Sequence, residues 1–305
     1  MNDTEKEKLK KILDSAHINF LIGSGASMNY LATLWNIENL LNESQKEVSS
    51  KPDDPQALQV NYSIKSKYFH DCVAGNKIFL SNHSERSNDN EFIKTYDNYD
   101  RLIQALKTII QRRKTTVVNR QINLFTTNMD LFLDDVLESN KISFNDGFEG
   151  KMKPVFSTAN YKKLVYQSSP HYDNISEIPT FNLFKLHGSV NWRKEEINNE
   201  TKIVYDSSLS TLNNLLGIEK SPNLIELDKG DTFESLSSRS QAEVNTDEFN
   251  TFLKFYDDLV FVNPTKEKFQ LTTVDYVFYE QLRMYSNSLE KENSVLFVHG
   301  FSFAD

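Results

Sequence analysis

The sequence predicts an α/β fold: a Rossmann-like parallel sheet with helices on both faces and a helical insertion after the first strand. Three observations predict it. Short apolar runs recur along the chain and alternate with stretches of helical periodicity, the pattern of parallel strands joined by crossover helices. The runs are continuously apolar rather than alternating, as in strands buried on both faces. Five polar motifs, GSGAS, TTNMD, HGS, NPT and HGFSF, each follow directly on such a run. In parallel sheets ligands bind beyond the carboxyl ends of the strands, so five repetitions of one placement point to a single shared cleft.

The elements follow in order. Residues 4–15 carry Leu9, Ile12 and Leu13 at i, i+3, i+4 spacing and read as a short amphipathic helix. Residues 17–30, HINFLIGSGASMNY, read as one strand, one tight turn and the start of a helix. Ile18, Phe20, Leu21 and Ile22 are the buried strand. Gly23, Ser24, Gly25, Ala26 and Ser27 are small enough for the backbone to turn sharply and approach a ligand closely. Leu31, Leu34, Trp35, Ile37, Leu40 and Leu41 then have helical spacing. A helix opening at that turn offers free N–H groups and a positive dipole end to a phosphate. The spacing is not G-x-G-x-x-G, so the ordinary dinucleotide fingerprint is absent.

Polar gaps at 42–55, which include KPDDP, and at 81–90 interrupt a helical pattern that is clearest over 99–112. There Leu102, Ile103, Leu106, Ile109 and Ile110 share one face, and residues 31–119 read as a mostly helical insert. Ile122, Leu124 and Phe125 mark a second strand, followed by a helix over 130–137. A third strand spans 141–148 and ends in an Asn-Asp-Gly turn; a fourth spans 181–192 and is stopped by Gly188. Residues 195–250 are polar and read as a loop-rich insert with a short helix. A fifth strand at 258–264, a helix at 274–289 and a sixth strand at 294–299 complete the chain.

Composition excludes several function classes. The net charge of −9 argues against nucleic acid as a direct partner of the whole surface. Cys72 is the only cysteine, which rules out an intrachain disulfide and a four-cysteine zinc site. The amino terminus, MNDTEKEKLKK, is charged rather than apolar. No segment approaches the roughly 18–20 apolar residues of a membrane span. A cytoplasmic protein without membrane contact is expected.

The cleft motifs hold little acid–base machinery. Asn128 offers an amide that donates and accepts. Asp130, two residues on, either holds a water or the polar end of a ligand or caps the helix that follows. His187 stands directly before Gly188 and Ser189 at a strand end, where a ring can project into a cleft. His17, His70, His83, His171 and His299 lack that setting. Cys72 has no visible catalytic partner, Ser27 lacks a G-x-S-x-G elbow, and no H-E-x-x-H or paired cluster suggests a metal. A phosphate-binding turn with an Asn, an Asp and a His fits chemistry on a nucleotide ribose better than acyl or phosphoryl transfer.

These residues resemble the sirtuins. GSGAS resembles the G-A-G-x-S loop; Thr126-Thr127-Asn128-Met129-Asp130 resembles T-Q-N-x-D, with Thr127 for the usual Gln; Leu186-His187-Gly188-Ser189 matches L-H-G-S. Val298-His299-Gly300-Phe301-Ser302-Phe303 resembles the later G-T-S strand end. The four motifs keep their order from residue 17 to the end, so the resemblance implies one sirtuin-like catalytic domain over 1–305. The departures are a single cysteine where protein deacylases carry four, and MNYLATLWNIENLL where they carry G-I-P-D-F-R. Peptide deacylation is therefore the least favoured reading. NDGF, LHGSVNW, VNPT and GFSFAD instead look like the zinc-free bacterial sirtuin-like domains, NAD hydrolases of anti-phage defence.

The resemblance implies that NAD is the substrate, that no metal is needed, and that Asn128 and His187 are the catalytic pair, with Asp130 orienting the nicotinamide side. It implies that Gly23, Ser24, Gly25, Ala26, Ser27 and Thr127 contact the dinucleotide, the glycine turn holding its diphosphate, and that Gly300 and Ser302 face the adenosine. It further implies a homo-oligomer, or a partner such as an ATPase or an Argonaute-type protein. The alternative is a non-catalytic module that senses NAD or ADP-ribose and controls a partner. The chain ends at Asp305, where sirtuins continue into a further strand and turn, so the resemblance implies a fragment of a longer protein.

Overall fold

The computed structural model describes residues 2–33, 36–113, 118–262 and 273–301. Among them five strands form an all-parallel central sheet: β1 (His17–Ile22), β2 (Gln121–Thr126), β3 (Ser143–Asn145), β4 (Thr180–Lys185) and β5 (Ser294–His299). Their order across the sheet is β5-β1-β2-β4-β3. The chain moves to one side of β1 for β2, β4 and β3, and to the other side for β5. The order therefore reverses at β1, which makes the gap between the carboxyl ends of β1 and β5 the topological switch point of an α/β sheet. The molecule has the Rossmann-like α/β architecture expected from the sequence.

The helices are α1 (Asp3–Ser15), α2 (Ile37–Ser50), α3 (Pro55–Tyr68), α4 (Asn90–Arg112), α5 (Phe132–Ser139), α6 (Ser210–Leu216), α7 (Phe233–Arg239), α8 (Asp247–Asp257) and α9 (Thr273–Leu289), with a single helical turn at His83–Arg86. Local chemistry fixes several starts. Asn2 and Glu5 close a capping box on α1. Asp54 caps α3 just before Pro55. Asp89 accepts from the N–H groups of Glu91 and Phe92 at 3.1 and 2.9 Å to open α4.

Each face of the sheet buries its own core. Ile18, Phe20, Ile22, Ile122, Leu124, Phe181 and Leu183 meet Phe92, Tyr99, Ile103 and Leu106 of α4 and Phe132, Leu133 and Val136 of α5. On the other face Leu21, Phe125, Phe184 and Leu186 meet Phe278 of α9 together with Phe156, Trp192 and Ile203. The last three belong to a small antiparallel sheet in the order Phe148–Glu149, Val155–Phe156, Glu200–Tyr205, Trp192–Ile197. A separate two-stranded ribbon pairs Tyr166–Ser168 with Ile175–Glu177. A third core lies away from the sheet. In it α2 and α3 pack with α6, α7 and α8 around Tyr62, Phe69, Leu212, Phe249 and Phe252.

Four expectations are corrected. The helix expected from Leu31 begins at Ile37, so the glycine turn opens into a three-residue 3-10 turn, Ser24–Ala26, and not into an α-helix. Residues 195–250 are more regular than their polarity suggests: they hold most of a hairpin, the helices α6 and α7 and the first turn of α8. Their apolar residues are spaced to face α2 and α3, and a search for a sheet partner misses them. The strand expected at 258–264 does not enter the sheet: Phe261 makes one isolated antiparallel bridge with Gly188, and residues 263 and 264 lie outside the described residues. The fourth strand, expected over 181–192, ends at Lys185, and Trp192 begins a strand of the small sheet. No described helix is long and apolar enough to cross a membrane.

Candidate functional site at the carboxyl edge of the sheet

The carboxyl ends of β1, β2, β4 and β5 deliver the sequence motifs to one edge. Thr127 N–H donates to Ile22 O at 3.1 Å, and Leu186 N–H to Thr126 O at 2.8 Å, so the turns after β1, β2 and β4 adjoin. Val190 N–H donates to Met129 O at 3.1 Å, and the Ser189 hydroxyl to the same oxygen at 3.3 Å. Gly25 N–H donates to Gly300 O at 2.8 Å, which brings the turn after β5 onto the glycine loop. Gly300 has φ of +63°, and a Cβ on it would lie 2.3 Å from Ala26 N, so this crossing requires glycine. Gly188 is the second such position: its φ is +80°, and a Cβ would lie 2.2 Å from Val260 O.

At the centre lies a directed chain of hydrogen bonds. Ser27 Oγ donates to Asp130 Oδ2 at 2.6 Å. Its single proton is thereby used, so the 2.9 Å contact with Tyr99 is a Tyr99 O–H donating to Ser27 Oγ. Asn128 Nδ2 in turn donates one proton to Gly23 O at 3.1 Å and shares the other between Ser27 Oγ at 3.3 Å and Tyr99 OH at 3.4 Å. The Gly23 carbonyl only accepts, which fixes the orientation of the Asn128 amide. Its nitrogen faces Gly23, Ser27 and Tyr99, and its buried Oδ1 has no donor among the described residues. Leaving such an oxygen unpaired costs about 1–3 kcal/mol, a cost that a ligand or water supplying an O–H would offset.

Asp130 is 4 % exposed and also accepts from Phe132 N–H at 3.3 Å. Burial pushes its carboxyl above the ordinary value, against the pull of Lys185 and of the Ser27 hydroxyl. The buried Lys185 forms an ion pair with Asp134 at 2.6 Å, and its ammonium donates to Asp130 O. Asp146, just past β3, is raised to about 6 by burial, then by Asp134, with Lys185 opposing. Its Oδ1 accepts from Phe148 N–H at 3.0 Å. Tyr99, held far above the usual phenol value by burial and by Asp130, completes the surroundings.

Of the residues singled out in the sequence, Gly23, Ser24, Gly25, Ala26, Ser27, Thr127, Asn128, Asp130, His187 and Gly300 all fall on this edge. Ser302 lies outside the described residues. His187 is half-buried, and its carbonyl accepts from Val262 N–H at 2.8 Å. The glycine turn differs from an open phosphate cradle. The N–H groups of Gly23, Gly25, Ala26 and Ser27 already donate to His299 O, Gly300 O, Gly23 O and Ser24 O; Ser24 is the exposed residue of the loop. No group of three or more His, Cys, Asp or Glu side chains gathers as a metal site among the described residues.

Sequence reasoning missed Tyr99, Lys185, Asp134 and Asp146. Tyr99 sits in the apolar stripe of α4 and looks like core. Lys185 was legible as the one charge in FNLFKLHG, because a lysine closing a buried strand needs a partner. No family model and no curated protein matches the chain.

Proposed function

We propose that this chain is an NAD hydrolase that cleaves the N-glycosidic bond between nicotinamide and ribose. The observation that supports this reading is the buried Asn128 Oδ1, left without a donor among the described residues where the turns after β1 and β2 meet. An amide oxygen fixed in that orientation accepts from a ribose hydroxyl or from the attacking water. The sequence resemblance of four motifs to the sirtuins suggests the substrate class.

In the proposed reaction the bond from C1′ to the nicotinamide nitrogen breaks with its electron pair leaving on that nitrogen, which neutralises the pyridinium charge. Water adds to the oxocarbenium-like C1′ and gives up a proton, producing nicotinamide, ADP-ribose and one proton. Asn128 fixes the hydroxyl or water, His187 accepts the proton or a hydrogen bond, and Asp130 holds Ser27 and hence Asn128. Diphosphate binding at Gly25 N–H exchanges the Gly300 carbonyl for a phosphate oxygen and so opens the contact between the turns after β1 and β5. NAD depletion in anti-phage defence, as an oligomer or with an ATPase or Argonaute-type partner, belongs to this proposal through the resemblance.

Incubation with NAD, scored for nicotinamide and ADP-ribose, tests it. Asn128→Ala and His187→Ala are each expected to lower cleavage about 100-fold or more with the circular dichroism spectrum unchanged. Gly25→Val is expected to weaken NAD binding, since a side chain there meets Gly300. Saturable NAD binding without any turnover would favour the alternative, a module that senses NAD or ADP-ribose. Cleavage at the unaltered rate in both alanine variants would remove the residue assignment.

A further inference from the structure

A second feature lies at the opposite, amino end of the sheet. Asn19, Asn123 and Asn182 occupy matching register positions on β1, β2 and β4. Their side chains point to the α9 face and form a ladder across the strands. Asn182 Nδ2 donates to Asn123 Oδ1 at 2.9 Å, and Asn123 Nδ2 to Asn19 Oδ1 at 2.8 Å. Asn19 Nδ2 donates to Ser294 Oγ at 2.8 Å, and that hydroxyl to Ser288 O at 2.9 Å. A backbone carbonyl only accepts, so the ladder runs in one direction and its amides cannot be turned over. The last acceptor, Asn182 Oδ1, is buried and has no donor among the described residues. Aligned amides polarise one another, which strengthens the acceptor at the open end.

Asn123 and Asn182 line a cavity of about 520 Å³ between the sheet, α9 and the segment 158–164. This volume falls in the range of small-molecule sites. The stacked rings of Tyr161 and Phe184, with centroids 4.0 Å apart, form part of its wall. Lys162, Arg283 and Lys291 stand exposed at its mouth against the single carboxylate Glu280. Arg283 is paired with Glu280 at 2.6 Å, while Lys162 and Lys291 make no ion pair among the described residues. His17, which also lines the cavity, is held below the ordinary imidazole value by burial, then by Lys291 and Arg113. A positive mouth on a chain of net charge −9 is a local feature that the bulk composition does not produce.

We infer that this cavity is a second small-molecule site, distinct from the carboxyl-edge site, that takes a mononucleotide. Phosphate alone would meet the lysines and leave the ladder's terminal oxygen unpaired. A nucleoside alone would pair that oxygen and leave the lysines unmatched. A ligand that joins a planar N–H donor edge to a phosphate satisfies both ends.

Calorimetric titration of the full chain with AMP, GMP, CMP and UMP in turn tests the inference, with inorganic phosphate and the matching nucleosides as partial probes. At least one mononucleotide is expected to bind saturably. The Lys162→Ala/Lys291→Ala double variant, changed only at exposed positions, is expected to weaken it about tenfold or more while the nucleoside changes by less than about twofold. Asn182→Ala is expected to weaken mononucleotide and nucleoside alike. The inference is overturned if none of the four binds below about 1 mM, or if the lysine double variant binds unchanged, which would assign the binding to another site. It is also overturned if phosphate alone binds as tightly as the mononucleotides. Asn128→Ala is expected to leave this binding intact, so failure here and failure of NAD cleavage are separate results.

Discussion

At the scale of single residues, the carboxyl edge is governed by groups whose charge burial opposes. Asp146 is the measurable case. Its carboxyl is raised from 3.8 to about 6. Below the ordinary carboxylate value both folded and unfolded chains hold the proton. Between that value and about 6 the folded chain keeps a proton that the unfolded chain releases, so this group's contribution to stability falls as pH rises through the window and is flat above it. Asp134, which raises the value, and Lys185, which lowers it, are the charges that face it. Asp146→Asn keeps an acceptor for Phe148 N–H and removes the titration. Its stability relative to the unaltered chain is therefore expected to rise between pH 4 and 7 by up to about 3 kcal/mol, measured by urea unfolding at stepped pH. A pH-independent difference would show that Asp146 titrates normally.

At the scale of elements, α4 and α5 carry the site as well as cover the sheet. Phe132, the first residue of α5, is fully buried between the rings of Tyr30, Phe79, Phe92 and Tyr99. Tyr99 stacks on it at 5.3 Å with an interplanar angle of 6° and presents its hydroxyl to Ser27 and Asn128. The aromatic cluster thus sets the position of a polar chain in the neighbouring site. Phe132→Ala is expected to cost about 3–5 kcal/mol in urea unfolding, through lost burial and the cavity left behind. Phe132→Leu, which refills most of that volume, is expected to recover much of the stability. If Tyr99 is positioned by the ring itself, Phe132→Leu will still depress NAD cleavage by more than its stability loss explains. Equal recovery of both properties would limit Phe132 to packing.

At the scale of the whole molecule, two segments far apart in sequence build one helical layer. The stretch holding α2 and α3 follows β1, and the stretch holding α6, α7 and α8 follows β4, yet they share a core in which Tyr62 stacks on Phe249 at 4.9 Å. Lys65, nearly buried, pairs with Asp257 at 2.7 Å across the same boundary. Neither stretch covers its apolar face alone. Phe249→Ala is therefore expected to speed amide hydrogen exchange in α3 as well as in α8, while β1 and β2 keep their protection. Loss of protection confined to α8 would show that the two segments fold independently.

The amino-acid sequence by itself determined the alternation of buried strands with helices and the sequence of motifs along the sheet's carboxyl edge. These properties depend on neighbours a few residues away: apolar period and a glycine where the backbone must turn. It misjudged the element after GSGAS: Leu31 and Ile37 have helical spacing, but the glycine loop closes as the 3-10 turn Ser24–Ala26 against Gly300, and the helix opens only at Ile37. Tertiary structure alone decided which partners the polar side chains meet. Ser27 and Tyr99 are 72 residues apart, and Asn19 and Ser294 are 275 apart. Periodicity reports that a position is buried but carries no information about the partner across the interface. The repeated I-N-F, I-N-L and F-N-L of three strands stood in the sequence. Only the parallel register, set by apolar faces that must all turn to the same core, lined those asparagines up into a ladder with one open end.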